Sequence, residues 1–189
     1  VGASRPEEYG LYFAWGETQG YAMDENHAFN WTNYDLCNDI PEKMTKYSTS
    51  TRYWDSSLGT SPDDKTVLEA MDDAATVNWG SDWRMPTKQE QDDLSDSAYC
   101  TWTWNTNYNG SGVDGYEVKS NSNGNSIFLP VAGYFNETKL NKGGTHAYYW
   151  SSSLSTGDIY AYTLYFNSNF LGWQSVRRHC GLSVRAVRR

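Results

Sequence analysis

Aliphatic side chains, cysteine and proline are sparse in this chain, and each scarcity excludes something. There are only three cysteines and five prolines among 189 residues. Three thiols cannot all pair within one chain. The gaps between Cys37, Cys100 and Cys180 are far too long for the local CxxC of a zinc ribbon or redox motif. One bridge plus a leftover thiol and three reduced thiols both stay open, and with them the redox compartment. A chain this long needs no disulfide framework. No run of 18 or more apolar residues occurs, so the sequence offers no membrane-spanning helix. His27, His146 and His179 are scattered, without a neighbouring Asp-Ser or Cys pattern, so no nucleophilic triad can be assembled from spacing.

Aromatic residues are abundant instead: nine Trp and fifteen Tyr, with 16% aromatic content overall. Residues 1–189 read as one domain, long enough to bury a core. A core built from aromatics, with many Gly, Ser, Asn and Thr turns, suits short strands and long loops, and two early helices followed by many strands give an α+β class. The net charge of −8 is unevenly spread. Residues 1–97 carry 19 acids and 7 bases, residues 98–189 carry 4 acids and 8 bases. Bulk acidity argues against a nucleic-acid partner, which calls for a basic patch. The basic tail, Arg177, Arg178, Arg185, Arg188 and Arg189, is either a contact for an anionic partner or a solvated chain end.

Along the chain, residues 1–20 read as an extended entry and 21–65 as loop, a length that usually carries function or insertions. Asp64 to Trp79 is the first helix candidate, with Val67, Leu68, Met71, Ala74, Ala75 and Val77 near i, i+3, i+4, i+7 spacing and a stop at Gly80. Thr87 and Glu90 form a capping box that starts a second helix ending near Ser97. Strands are expected at 101–104, 115–118 and 126–130, the last two joined through Asn123-Gly124. Trp79 and Trp83, flanking a helix junction, are expected in the core rather than as a sugar-stacking platform.

The last forty residues alternate framework with something else. Tyr149–Ser153, Leu164–Asn167 and Gly181–Arg185 read as short strands. They enclose Phe170 to Cys180, a run with neither period 2 nor period 3.6. Such a run makes poor core and a good contact surface, since Trp and Arg are enriched where proteins grip partners. The residues thus point to a binding module and not to an enzyme.

Four motifs in order, Tyr12-Phe13-Ala14-Trp15-Gly16-Glu17-Thr18, the Trp79–Glu90 segment, Ile127–Tyr134 and Tyr149–Ser153, resemble the major paralogous domain family of Fibrobacter- and Bacteroides-type bacteria. The resemblance implies a C-type-lectin-like fold of the formylglycine-generating-enzyme subtype, with two helices and several short, mostly antiparallel strands joined by long loops. In that family a strand normally precedes the Val1 position, and Ser48 stands where relatives often carry a Cys able to pair with the position of Cys37.

Several proteins of that fold are variable products of diversity-generating retroelements, rewritten in a C-terminal block ending near Gly-Leu-Ser-Val-Arg. The resemblance therefore implies a ligand-binding face within about residues 145–187, made by Phe170, Gly172, Trp173, Ser175, Val176, Arg177, His179 and Cys180. Asp158, Ile159, Tyr160 and Tyr162 join them from further upstream. The implied partner is a protein or glycan on another cell or surface, with no nucleic acid and no membrane insertion by this chain. Display on a bacterial surface or a phage tail is the implied setting. A non-diversified surface paralogue is the alternative, and an enzyme of the formylglycine-generating type a weaker one, because Cys180 lacks the nearby second cysteine that chemistry uses. No cofactor and no metal are expected. Asp63-Asp64 and Asp72-Asp73 offer hard oxygen ligands, but neither an EF-hand loop nor the Glu-Pro-Asn and Trp-Asn-Asp signatures of calcium-dependent lectins occurs.

Overall fold

The computed structural model describes residues 1–38 and 40–189. Its strands are β1 (Tyr12–Phe13), β2 (Trp83–Arg84), β3 (Cys100–Asn105), β4 (Gly115–Ser120), β5 (Ser126–Pro130), β6 (Tyr134–Asn136), β7 (Lys139–Asn141), β8 (His146–Leu154), β9 (Tyr160–Asn167), β10 (Phe170–Arg177), β11 (Leu182–Ser183) and β12 (Val187–Arg188). The α-helices are α1 (Ala74–Trp79) and α2 (Lys88–Ser95). Strand accounts for 35% of the residues and helix, short 3-10 turns included, for 14%. The protein is mostly β, which overturns the α+β, C-type-lectin-like expectation: two helices are present, but they are too short to form a layer.

The first helix candidate fails for a visible reason. Leu68 donates its N–H to the Ser152 carbonyl and Leu154 donates to Thr66, so residues 66–68 lie extended against β8. After a single 3-10 turn at Ala70–Asp72, only Ala74–Trp79 becomes α-helical, where the Asp73 carboxylate accepts the Thr76 N–H as an N-cap. The supposed apolar stripe is split: Leu68, Ala74 and Ala75 are buried, while Val67, Met71 and Val77 are exposed, Met71 at 67%. The second helix follows its sequence signal. The Thr87 side chain accepts from Glu90 N, and Glu90 accepts from Thr87 N.

The main sheet has the order β1-β11-β8-β9-β10, with β11 and β8 parallel and the other pairs antiparallel. A separate meander, β3-β4-β5, carries the three expected strands, with Gly124 at φ 75° in the turn between the last two. Smaller pairs, β6-β7 and β2-β12, complete the strands.

Both faces of the central strands are buried. One hydrophobic cluster joins Trp15, Tyr34, Tyr47, Trp150, Ala161 and Leu182. The other joins Val118, Leu129, Ala147, Tyr149, Leu164 and Phe166 beneath the meander. Buried polar tips are bonded as aromatic cores require. Trp150 Nε1 donates to Phe13 O at 2.7 Å, Trp15 Nε1 to Ser151 O at 2.8 Å and Tyr12 OH to Ala132 O at 2.7 Å. Trp79 and Trp83 correct the core expectation. They meet edge to face at 5.2 Å on the surface, with Trp79 43% exposed.

Candidate ligand-binding face

The run that showed no pattern is a strand. Asn167 pairs with Phe170, so Ser168 and Asn169 form a two-residue turn, and the Asn167 side chain accepts the Asn169 N–H at 2.8 Å. Eight cross-strand pairs, this one included, run to Tyr160 opposite Arg177. β10 is the last strand of its sheet, so its outer backbone edge is open among the described residues. With solvent on both faces, its side chains need not alternate, and the period that marks a half-buried strand is lost.

Pairing decides which side chains share a face. Trp173 lies opposite Leu164 and Ser175 opposite Tyr162, so Trp173 and Tyr162 are diagonal neighbours. Their rings meet edge to face at 5.3 Å. Lys88, the first residue of α2, places Nζ 4.9 Å from the Trp173 ring centre and 5.6 Å from that of Tyr162. A cation at a helix N-terminus is disfavoured by the helix dipole; here the ammonium is held by Asp92 and the two rings. Trp173 stays 51% exposed.

The opposite face carries a row of rings. Phe170 is 5.5 Å from Tyr165, Tyr165 is 5.0 Å from Tyr148, and Tyr148 is 4.8 Å from Tyr134. Gly172 makes room for this, because a Cβ there would sit 3.0 Å from the Phe170 ring. Beside the row lies a cleft of about 310 Å³, walled by Tyr134, Tyr148, Gln174 and Val176 and rimmed by Asn136 and Arg177. Arg177 is half exposed and only 4.0 Å from Glu42, a loose surface pair. Phenol hydroxyls, an amide and a guanidinium around apolar walls can both stack on and hydrogen-bond a polar ligand.

Of the residues expected at the face, Tyr160, Tyr162, Phe170, Gly172, Trp173, Ser175, Val176 and Arg177 line the β9–β10 surface or its cleft. Three do not, and a fourth, Cys180, reaches only the wall of the cleft. The buried Asp158 carboxylate accepts from Ser48 Oγ, Thr49 N, Thr49 Oγ1 and Ser50 N. Ser48 is thus spoken for by a carboxylate and not by sulfur chemistry. Ile159 is core. His179 is buried, its Nδ1 lies 3.1 Å from Phe29 O, and burial lowers its pKa, so it is a neutral packing group instead of a pH-sensitive contact. Cys180 is buried too, and burial pushes its thiol up to about 12. Arg178, from the supposed basic tail, has no exposed surface at all.

Lys88, Tyr134, Tyr148, Tyr165 and Gln174 were missed by sequence reasoning. Lys88 is brought in by the packing of α2 across the sheet, which no local signal announces. The acidic pairs have other partners: Asp63 accepts from Tyr47 N and Ser48 N, Asp72 from Tyr47 OH and Lys46 Nζ, and Asp73 from Met85 N. Among the described residues, no group of three or more His, Cys, Asp or Glu is placed to hold a metal ion, and no helix is long and apolar enough to cross a membrane.

The architecture is therefore a mostly-β domain that presents an open edge strand studded with aromatics. The family model for a domain of unknown function, DUF8237, matches residues 86–187, and the chain belongs to that family. The matched span runs from the residue before the α2 cap into β12, and so holds both Lys88 and the whole of β10. No curated protein and no solved structure matches the chain.

Proposed function

We propose that the protein is a ligand-binding module whose contact surface is β10 with the aromatic groups on its two sides. The observation that carries this is the placing of Trp173 and Phe170, about half exposed each, on an open edge strand whose neighbour β9 is covered on both faces. Large aromatics left in solvent cost hydration free energy that a bound partner recovers, and such residues dominate binding energy in interfaces. The ligand class is a protein or glycan on another cell or surface, consistent with rings for stacking and Arg177 and Gln174 for polar contacts.

The same positions support a second layer of the proposal, that this chain is the variable protein of a diversity-generating retroelement, displayed on a bacterial surface or phage tail. Side chains at Phe170, Trp173, Gln174, Ser175 and Arg177 are exposed, so replacing them leaves both core clusters untouched. A display library randomised at these five positions tests it. Most members should fold, and selection against a panel of proteins and glycans should return binders. A library that is mainly unfolded would refute the reading.

A further inference from the structure

The outer edge of β10 is a row of unused backbone groups. A two-residue turn makes Asn167 and Phe170 a hydrogen-bonded pair, and such pairs alternate along an antiparallel ladder. The even-numbered residues of β10 therefore bond to β9, while Leu171, Trp173 and Ser175 turn their N–H and C=O groups away from the sheet. None of these six groups has a hydrogen-bond partner among the described residues. The edge is also reachable. Gln174, Ser175, Val176 and Arg177 all line the cleft of about 310 Å³. Consecutive residues point to alternate faces, so they share one cleft where it runs along the edge of the strand.

Sheet edges are normally guarded by brevity, a bulge, Pro or a charge. The opposite edge of this sheet is closed: β1 has two residues, and Tyr12 exchanges both backbone hydrogen bonds with Tyr21 on its outer side. β10 has no such guard. Its eight residues pair with β9 without a register shift, and they include no Pro, Lys, Asp or Glu. The single charge is Arg177 at the end, half exposed, with Glu42 4.0 Å away.

We infer that β10 binds an extended polypeptide segment by strand addition, antiparallel to it, with an acidic residue beside Arg177 and β-branched side chains beside Trp173. This rests on the reading of β10 as the contact surface and names what that surface takes. Another backbone offers donors and acceptors at the matching two-residue spacing, and antiparallel pairing is the more stable per residue. Opposite charges across a pair add to it, and β-branched side chains pack well against an aromatic neighbour. A second copy of β10 is the poorer occupant. It has no carboxylate for Arg177, and each chain carries a net charge of −8.

The test titrates the acetylated, amidated heptapeptide Glu-Thr-Val-Thr-Ile-Thr-Val into the full chain by calorimetry, with its Glu placed for Arg177 and its Ile for Trp173. Saturable one-to-one binding with Kd below about 1 mM is expected. N-methylation of the third and fifth residues, whose N–H groups point at Ser175 and Trp173, should weaken binding at least about tenfold. N-methylation of the fourth and sixth, which point away, should change it less than about threefold. Lys in place of Glu should weaken it about fivefold. Ser175→Pro removes an outward N–H that β9 does not use, and should also weaken binding at least about tenfold. If that variant fails to fold by circular dichroism, the two N-methylated peptides decide alone. Absent binding, equal affinity of the two N-methylated peptides, undiminished binding of the Lys peptide, or a dimer of the parent in sedimentation that Ser175→Pro abolishes would each overturn the inference. So would β10-dependent capture of glycans alone. The contact-surface reading is decided separately, by whether the folded Phe170→Ala/Trp173→Ala variant still captures the glycans and proteins that the parent does.

Discussion

The guanidinium carbon of Arg178 lies 4.8 Å from the Trp15 ring centre, at a position with no solvent exposure. Tyr34 and Tyr47 complete the aromatic box at 5.5 and 6.0 Å. Among the described residues no carboxylate pairs with this cation. Its N–H groups donate instead to Tyr34 OH and to the carbonyls of Lys46, Tyr47 and Asp158. Arg178 directly follows β10, so the box anchors the end of the exposed strand to the 46–50 loop.

Arg178→Met should therefore destabilise the fold by about 3–5 kcal/mol, since removing one side of a buried charged network strands its partners. Arg178→Lys should recover little, because an ammonium cannot reproduce the planar fork that reaches three carbonyls and a phenol. Urea unfolding of both variants checks this. A loss below about 1 kcal/mol for either would show that the box is not a structural anchor.

The box also shows what could and could not be read from the sequence. Arg178 stands beside Arg177 in a basic tail, and only tertiary packing separates a fully buried guanidinium from a half-exposed one. Helix α2 was legible because a capping box is a local device: Thr87 and Glu90 satisfy each other's neighbours three residues apart. The β4–β5 turn was legible through Gly124 for the same reason. The stretch 64–72 was not, because the long-range bonds of Thr66 and Leu68 to the irregular end of β8 override its helical spacing. β10 was read as a contact run and not as a strand because an edge strand wetted on both faces has no hydrophobic period. The same run does not announce that the chain turns inward at Arg178, which buries His179 and sets Cys180 in the wall of the cleft beside β10.

Glu17 gives the fold a pH dependence. It is buried, accepts the Asp35 N–H at 2.8 Å, and has its pKa raised to about 7, chiefly by desolvation. A carboxyl whose folded pKa lies above its unfolded value binds more protons in the folded state. Stability should thus fall as pH rises from about 4.5 to about 7 and level off beyond. Glu17→Gln should remove that slope and be the more stable protein at pH 8, by roughly 1–3 kcal/mol. Unfolding midpoints for the two proteins across this range decide the point; parallel curves would contradict it.

Thiol labelling separates the buried cysteine from a more accessible one. Cys180 is buried with a strongly raised pKa, whereas Cys100 is partly exposed on β3. In the folded protein at pH 8, iodoacetamide should modify Cys100 well before Cys180, since only an accessible thiolate reacts. Mass spectrometry of digested samples reads the order, and faster labelling of Cys180 would place it at the surface.

Glu90 and Arg84 should matter mainly in acid. The Arg84 hydrogen bonds hold the Glu90 carboxyl down to about 2. A depressed folded pKa contributes stability above the unfolded value, which is lost as pH falls from about 4.5 through about 2. Glu90→Gln should lack this component of acid destabilisation in a thermal-melt series. The partly exposed pair keeps the effect small.

The central claim is that β10 is where the protein meets its ligand. Its most direct test compares the parent chain with the Phe170→Ala/Trp173→Ala double variant on one array of glycans and surface proteins. The melting temperature should change by only a few degrees, because both side chains lie outside the core clusters. Binding to whatever the parent captures should drop at least about tenfold, as the loss of two aromatic anchors implies. Undiminished capture by the folded double variant would show that the ligand binds elsewhere and that the β10 face is not the binding surface.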